Sequence, residues 1–353
     1  MTSINMNARL GLNAILLRER MTVLGEQIST GRKGSTYSAI GTDAPRAMDL
    51  RGQIGRRDAY EKTIDLALSK IKVSQDVLNR IGTVAEKLLA SSTKLLGVAK
   101  PEEIQIQVGQ AEAALIEVAT LLNEQYGGEY LFGGSDSRNP PIPKPLDIAK
   151  TGMGLAIKNE VGTLNATNSS AVAAATKTLA MSDVAGTTPF SDFLSTGAGK
   201  TESRVSVLGN DNDRVAYGIH ANRNAAVVST GETTGSWARD LLRGLASIAG
   251  LTPEKTQLGD SYTNLVTTIR NGLEASVDAL ALERGSLGVI ETRLQGLAAH
   301  HKSVSATLQL QLSNIEEVDM AQTITSFQTT QTQLEASYRA IAVAQQLSLT
   351  RFL

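Results

Sequence analysis

Residues 10–28 read LGLNAILLRERMTVLGEQI, and Leu10, Ala14, Leu17, Met21, Leu24 and Ile28 follow one another at spacings of four and three. At 3.6 residues per turn, that alternation holds one apolar line along one side of a helix. It is the a/d seam through which helices pack at coiled-coil angles. Ser29-Thr30-Gly31 interrupts the line, and a stretch bearing Gly and Ser runs on to Pro45.

Working outward, the same spacing returns four more times. A second seam runs Ile64, Leu68, Ile71, Gln75, Leu78, Gly82, Ala85, Leu89, and a third runs Ile104, Val108, Ala111, Leu115, Val118, Leu122. Pro101 suits the first turn of that third helix, with Glu102 and Glu103 at the positive end of its dipole. The longest begins at Tyr262 and continues through Val266, Ile269, Leu273, Ser276, Leu280, Glu283, Leu287, Ile290, Leu294, Leu297, His301 and Val304 to Leu308. A helix of that length is roughly 70 Å long at the standard rise. A last seam runs Met320, Ile324, Phe327, Gln331, Leu334, Tyr338, Ile341, Gln345, Ser348, Phe352.

Between the two seamed halves the pattern stops. YGGEYLFGGSDSRNPPIPKP, with two Gly pairs and four Pro, reads as a domain boundary. From about 140 to 235 Ser, Thr, Gly, Asn and Ala dominate, with short β-capable pieces such as Arg204-Val205-Ser206-Val207-Leu208. The expected fold is mainly α: a long antiparallel, coiled-coil-like helical bundle from both chain ends, with a small β or irregular inserted domain. The expected divisions are 1–44, an N-terminal assembly helix and turn; 45–135, the N-terminal half of a helical core; 136–240, a variable, surface-exposed insert; 241–312, the C-terminal half of the core; and 313–353, a C-terminal assembly helix.

Composition narrows the function. Among 353 residues, 34 Lys and Arg face 35 Asp and Glu, so charge offers no reason to expect nucleic acid as partner. Aromatic residues are 4% and Trp237 is the single tryptophan. With no cysteine, disulfides, thiol nucleophiles and zinc–thiolate sites are excluded. No apolar run of about 18 residues suggests membrane insertion. The opening MTSINMNARLGLNAILLRER lacks a basic region, apolar core and small-residue cleavage site in succession. Export, if it occurs, is expected without a cleaved Sec-type signal.

Chemistry is sparse. His300 and His301 project about 100° apart on a helix and cannot readily share a metal, and His220 stands alone. Asp211 and Asp213 in GNDNDR lack the Gly and late Glu of a calcium loop and read as a surface turn. STGRKGST lacks the P-loop frame. Asn165-Ala166-Thr167 and Asn168-Ser169-Ser170 match glycosylation sequons, triplets that also arise by chance in Ser/Thr-rich stretches. No catalytic, metal or cofactor residue is assigned: the chain reads as a non-enzyme with no cofactor.

The two ends carry more apolar surface than one seam requires. Ile4, Ala8 and Ile15 lie beside the Leu10–Ile28 line, and Ala336, Ala340, Val343 and Leu347 beside the last one. A helix with two apolar strips needs two sets of partners. The residues expected to carry self-assembly are therefore Ile4, Leu10, Leu17, Met21, Leu24, Ile28, Ile324, Phe327, Leu334, Tyr338, Ile341, Leu347, Leu349, Phe352 and Leu353. The apolar close QQLSLTRFL fits burial by other copies of the chain.

INMNARLGLNAILLRERMTVLGEQISTGRK resembles the N-terminal motif of the bacterial flagellin family through Ile4, Asn5, Asn7, Leu24, Ser29 and Gly31. LSNIEEVDMAQTITSFQTTQTQLEASYRAIAVAQQLSL resembles its C-terminal motif through Ile315, Glu316, Asp319, Met320 and Ala321. The likeness covers about 1–135 and 260–353. It implies terminal helices forming the core tubes of an extracellular flagellar filament, with the middle facing outward. The implied partners are further copies of the chain, the hook-junction and cap proteins, an export chaperone and the flagellar type III export apparatus. Flagellins usually carry a double Asp where SAIGTDAPRAM has Asp43 alone, and GGEYLFGGSDSRNPP and QLSLTRFL look more like the adaptors between hook and filament. The filament subunit is the preferred reading, from INMNARLGLNAILL, with the junction adaptor as alternative. A surface carbohydrate-binding or enzymatic module on the same scaffold is a third. It would need aromatic and acidic residues clustered in the insert, where Phe190, Phe193 and Tyr217 form no evident constellation.

Overall fold

Every seam becomes a helix. In the computed structural model the backbone is described for residues 2–96 and 100–349, and side-chain surroundings for 9–96 and 100–343. The long helices are α1 (Thr2–Thr30), α2 (Ala44–Ser92), α3 (Pro101–Leu121), α8 (Asp260–Glu316) and α9 (Met320–Leu349). Shorter ones, α4 (Gly152–Gly162), α5 (Ser169–Met181), α6 (Asp192–Ser195) and α7 (Trp237–Ala249), lie between. Among the described residues two small antiparallel hairpins complete the set: β1 (Gln125–Tyr126) with β2 (Glu129–Tyr130), and β3 (Ser206–Asn210) with β4 (Asp213–Ala216). The fold is mainly α, as the periodicity requires.

The chain divides into two compact units. One comprises Met1–Ala59 with His300–Leu353, the other Tyr60–Ala299. In the first, α1 packs on α9. The two run antiparallel, since the Gly31 carbonyl accepts from the Val318 N–H at 3.0 Å while Gly25 faces the Phe327 ring. A smaller apolar cluster joins Ala47 and Leu50 of α2 to Leu308 and Ile315 of α8. Gly31 ends α1 in the left-handed region (φ +69°), a conformation that costs glycine nothing. Asp319 starts α9, its Oδ1 accepting from Ala321 N (2.9 Å) and Gln322 N (3.1 Å).

In the second unit the core lies around α7, all thirteen of whose residues are buried. Trp237, Leu241, Leu242 and Leu245 supply apolar surface. The charged members survive burial because each is paired. Arg239 donates to the Asn222 carbonyl (3.0 Å), the Ala180 carbonyl (2.8 Å) and Asp183 Oδ1 (2.6 Å), and stacks over Phe190. Arg243 donates to Thr176 Oγ1 (3.1 Å), the Ala173 carbonyl (2.8 Å) and Glu232 Oε1 (2.8 Å). Asp240 accepts from the Thr234 N–H at 2.6 Å and from the Thr233 hydroxyl. Opposite, buried Glu283 of α8 accepts the backbone N–H groups of Ala225 (2.7 Å), Ala226 (3.1 Å) and Val227 (3.3 Å) on one oxygen.

The middle of the chain departs from expectation in two ways. It is more helical than its composition suggests, because α4 and α5 show only three periodic positions each: Met153, Ile157, Val161 and Val172, Thr176, Ala180. Helices of 11 and 13 residues are too short for that period to stand out from an Ala/Ser/Thr-rich background. The strand-like piece noted in the sequence, 204–208, enters β3 only from Ser206 on, and Asp211 and Asp213 sit at its hairpin turn, where Tyr60 and Arg293 engage them. Second, YGGEYLFGG marks no break in packing. Gly127 and Gly128, both with positive φ, make the two-residue turn of β1–β2, and Phe132 just beyond is fully buried in the shared core.

His220 is buried beside Glu202, which bonds its Nε2 at 3.0 Å and accepts from Ser135 N (2.9 Å) and Ser135 Oγ (2.6 Å). Burial drives the imidazole below its ordinary value. Glu202 opposes that shift, and Arg223 and Arg204 add to it. The folded chain therefore favours the neutral ring. Its contribution to stability is whole above the ordinary value of 6.5 and is lost as pH falls below it, where the unfolded chain takes a proton that the folded one resists. The urea midpoint is expected to drop between about pH 7.5 and about pH 5.5, and His220→Gln should flatten that drop. An unchanged slope in the variant would show that other groups set it.

Candidate self-assembly surfaces

The paired terminal helices are held at their junction by backbone. Lys33 N donates to the Glu316 carbonyl (2.8 Å), Arg32 bridges to Glu317, and Gln27 Nε2 closes on the Lys33 carbonyl at 2.9 Å. Buried Glu316 also pairs with Arg51 at 2.7 Å. Arg51 donates to the Tyr37 hydroxyl (2.9 Å) and lies over that ring. Glu316, and then Tyr37, hold the Arg51 guanidinium above its ordinary value. The loop from α1 to α2 and the break from α8 to α9 are thus zipped together, which fixes the direction in which α1 and α9 leave.

On α1 the expected seam points inward: Ala14 is buried, and Leu10, Leu17, Met21, Leu24 and Ile28 are half-buried. The other side holds Leu12, Ile15, Leu16 and Val23, which are 62%, 59%, 55% and 50% exposed. One face is satisfied by α9, and a second apolar face is left in solvent. Ile15 belongs to the second strip read from the sequence, while the side chains of Ile4 and Ala8 lie outside the described residues.

The inward face of α9 is rotated from the expected seam. Thr323, Thr330 and Leu334 are buried, and Phe327 and Ile341 are half-buried. Met320, Ile324, Gln331 and Tyr338 are exposed, as are Ala336, Ala340 and Val343 of the second strip. Threonine can be buried here because its hydroxyl bonds the carbonyl one turn back, Thr323 to Asp319 and Thr330 to Ser326, each at 2.7 Å. Apolarity alone could not have located that face. The repeated Thr at 323 and 330 is the signal that could have, since seven residues is two turns. Leu347 and Leu349 fall where side chains are not described, and Phe352 and Leu353 lie outside the described residues.

Among the described residues no cluster of three His, Asp or Glu could hold a metal ion, and no helix is long and apolar enough to cross a membrane. Tyr217 does meet an aromatic and acidic neighbourhood, a cleft of about 300 Å³ lined by Lys70, Ser74, Glu129 and Tyr130. Phe190 is buried in the core and Phe193 packs against it.

Residues 270–353, the C-terminal part of α8 and all of α9, match the model of the bacterial flagellin C-terminal helical region. The chain is also similar to the flagellar hook-associated protein 3 of Escherichia coli (strain K12). The two are 23% identical over 335 residues, a span covering 92% of this chain and 90% of that protein.

Proposed function

We propose that this chain is a structural component of the bacterial flagellum that joins neighbouring subunits through α1 and α9, at the junction between hook and filament. The observation that carries the assembly role is the exposed apolar face of α1, on a helix whose opposite face α9 already covers. Burying a Leu, Ile or Val from solvent is worth roughly 1.5–3 kcal/mol, so four such residues per copy can drive association. The position at the junction is supported by similarity running through the middle of the chain as well as its ends. A filament subunit is the second reading, favoured by the flagellin-type region at 270–353. In either reading the chain acts outside the cell, after export by the flagellar type III apparatus with a chaperone. Its neighbours there are further copies and the other junction and cap proteins.

Electron microscopy of purified protein, alone and with isolated hooks, separates the readings. Monomers that seat on hook ends are expected; long helical filaments from the protein alone would establish the filament subunit instead. Depletion of a sugar from solution, with neither form of assembly, would favour a binding module. Removing the last seven residues, Leu347 to Leu353, is expected to leave a soluble, folded monomer that no longer assembles. Normal seating by the truncated chain would remove the C-terminal residues from the interface.

A further inference from the structure

Two adjacent sequons lie where the loop from α4 enters α5, and the structure separates them. Asn165, Ala166 and Thr167 are all exposed and precede the helix. Asn165 Oδ1 accepts from Thr167 N (3.0 Å) and from Thr167 Oγ1 (3.2 Å), so the +2 hydroxyl already addresses the carboxamide of an exposed residue. The loop is pinned beneath this amide: the Asn165 carbonyl accepts from Ser261 Oγ (2.6 Å), and its N–H donates to Asn168 Oδ1 (2.7 Å). The second triplet is committed elsewhere. Asn168 is half-buried at the start of α5, its Nδ2 donates to the Thr163 carbonyl (3.1 Å), and Ser169 and Ser170 already lie in the helix.

We propose that Asn165 is an acceptor for an N-linked sugar and that Asn168 is not. The donor class is a glycosyl diphosphate. A bond forms between Asn165 Nδ2 and the anomeric carbon as the carbon–oxygen bond to the diphosphate breaks. The diphosphate leaves with the electron pair, and the Nδ2 proton passes to a base of the transferase. A hydroxyl hydrogen-bonded to the carboxamide oxygen orients the amide for that attack, which is why Ser or Thr is needed two residues on. Modifying Asn168 would instead require breaking its bonds to Thr163 and Asn165 and unwinding the first turn of α5.

Peptide mapping by mass spectrometry of the full chain, isolated from cells that naturally produce it, tests this. A sugar mass on the peptide bearing Asn165 is expected. It should be lost in Asn165→Gln and Thr167→Ala, and retained in Thr167→Ser and Asn168→Gln. Asn165 and Thr167 are exposed, so an unchanged urea midpoint checks that loss is not misfolding. A natural chain of unmodified mass, or a sugar on Asn168 instead, would overturn the proposal.

Discussion

A chain carrying Leu12→Glu and Leu16→Glu is expected to fold as the parent does and to lose assembly. The two side chains lie one turn apart on the face of α1 turned from α9, and more than half of each is in solvent. Surface substitutions of that kind change monomer stability by no more than about 0.5 kcal/mol. In an interface the same changes remove two buried leucines, at roughly 1.5–3 kcal/mol each, and force two carboxylates out of water at several kcal/mol apiece. At about 1.4 kcal/mol per factor of ten, association should fall by several orders of magnitude. Sedimentation and circular dichroism would read the folded monomer, and microscopy with hooks would read the lost seating. Unimpaired seating would mean that this face of α1 meets solvent in the assembly. Leu17→Glu is a useful contrast, because it strikes the side facing α9 and should harm the monomer itself.

Replacing residues 140–235 by a short Gly/Ser linker is expected to unfold the Tyr60–Ala299 unit. From the sequence this stretch looks like a detachable insert whose loss would merely thin an assembly. The structure places Ile142, Met153, Ile157, Val161, Phe190 and Leu194 in the same core as α3 and α7. At roughly 1.5–3 kcal/mol each, those six alone match the whole stability of an ordinary domain, about 5–15 kcal/mol. The replacement also strips Arg239 and Arg243 of their partners on α5 and in the loops beside it, leaving buried cations uncompensated. Trp237, the single tryptophan and fully buried, reports the outcome: its emission should shift to that of a solvent-exposed indole. Native emission with intact protease resistance would restore the view of a detachable insert.

How far the molecule was legible depended on the length of each repeating pattern. Four-and-three spacing over many turns predicts α1, α2, α3, α8 and α9. A long stripe leaves a helix few alternatives, and Gly31 and Asp319 mark a stop and a start that local chemistry dictates. Excess apolar residues on the terminal helices likewise announce a second face, and Ile15 and Val343 are found exposed on it. Tertiary structure decided the rest. Helix α7 was hidden because its three charged residues look like a surface until the partners that neutralise them are brought from 173 to 234. The inward face of α9 was misplaced by a rotation because threonines that satisfy their own hydroxyls can be buried as readily as apolar residues. Periodicity is a property of one segment and can be read along the chain. Burial of a polar group depends on hydrogen-bond partners distant in sequence, and these exist only once the chain has folded.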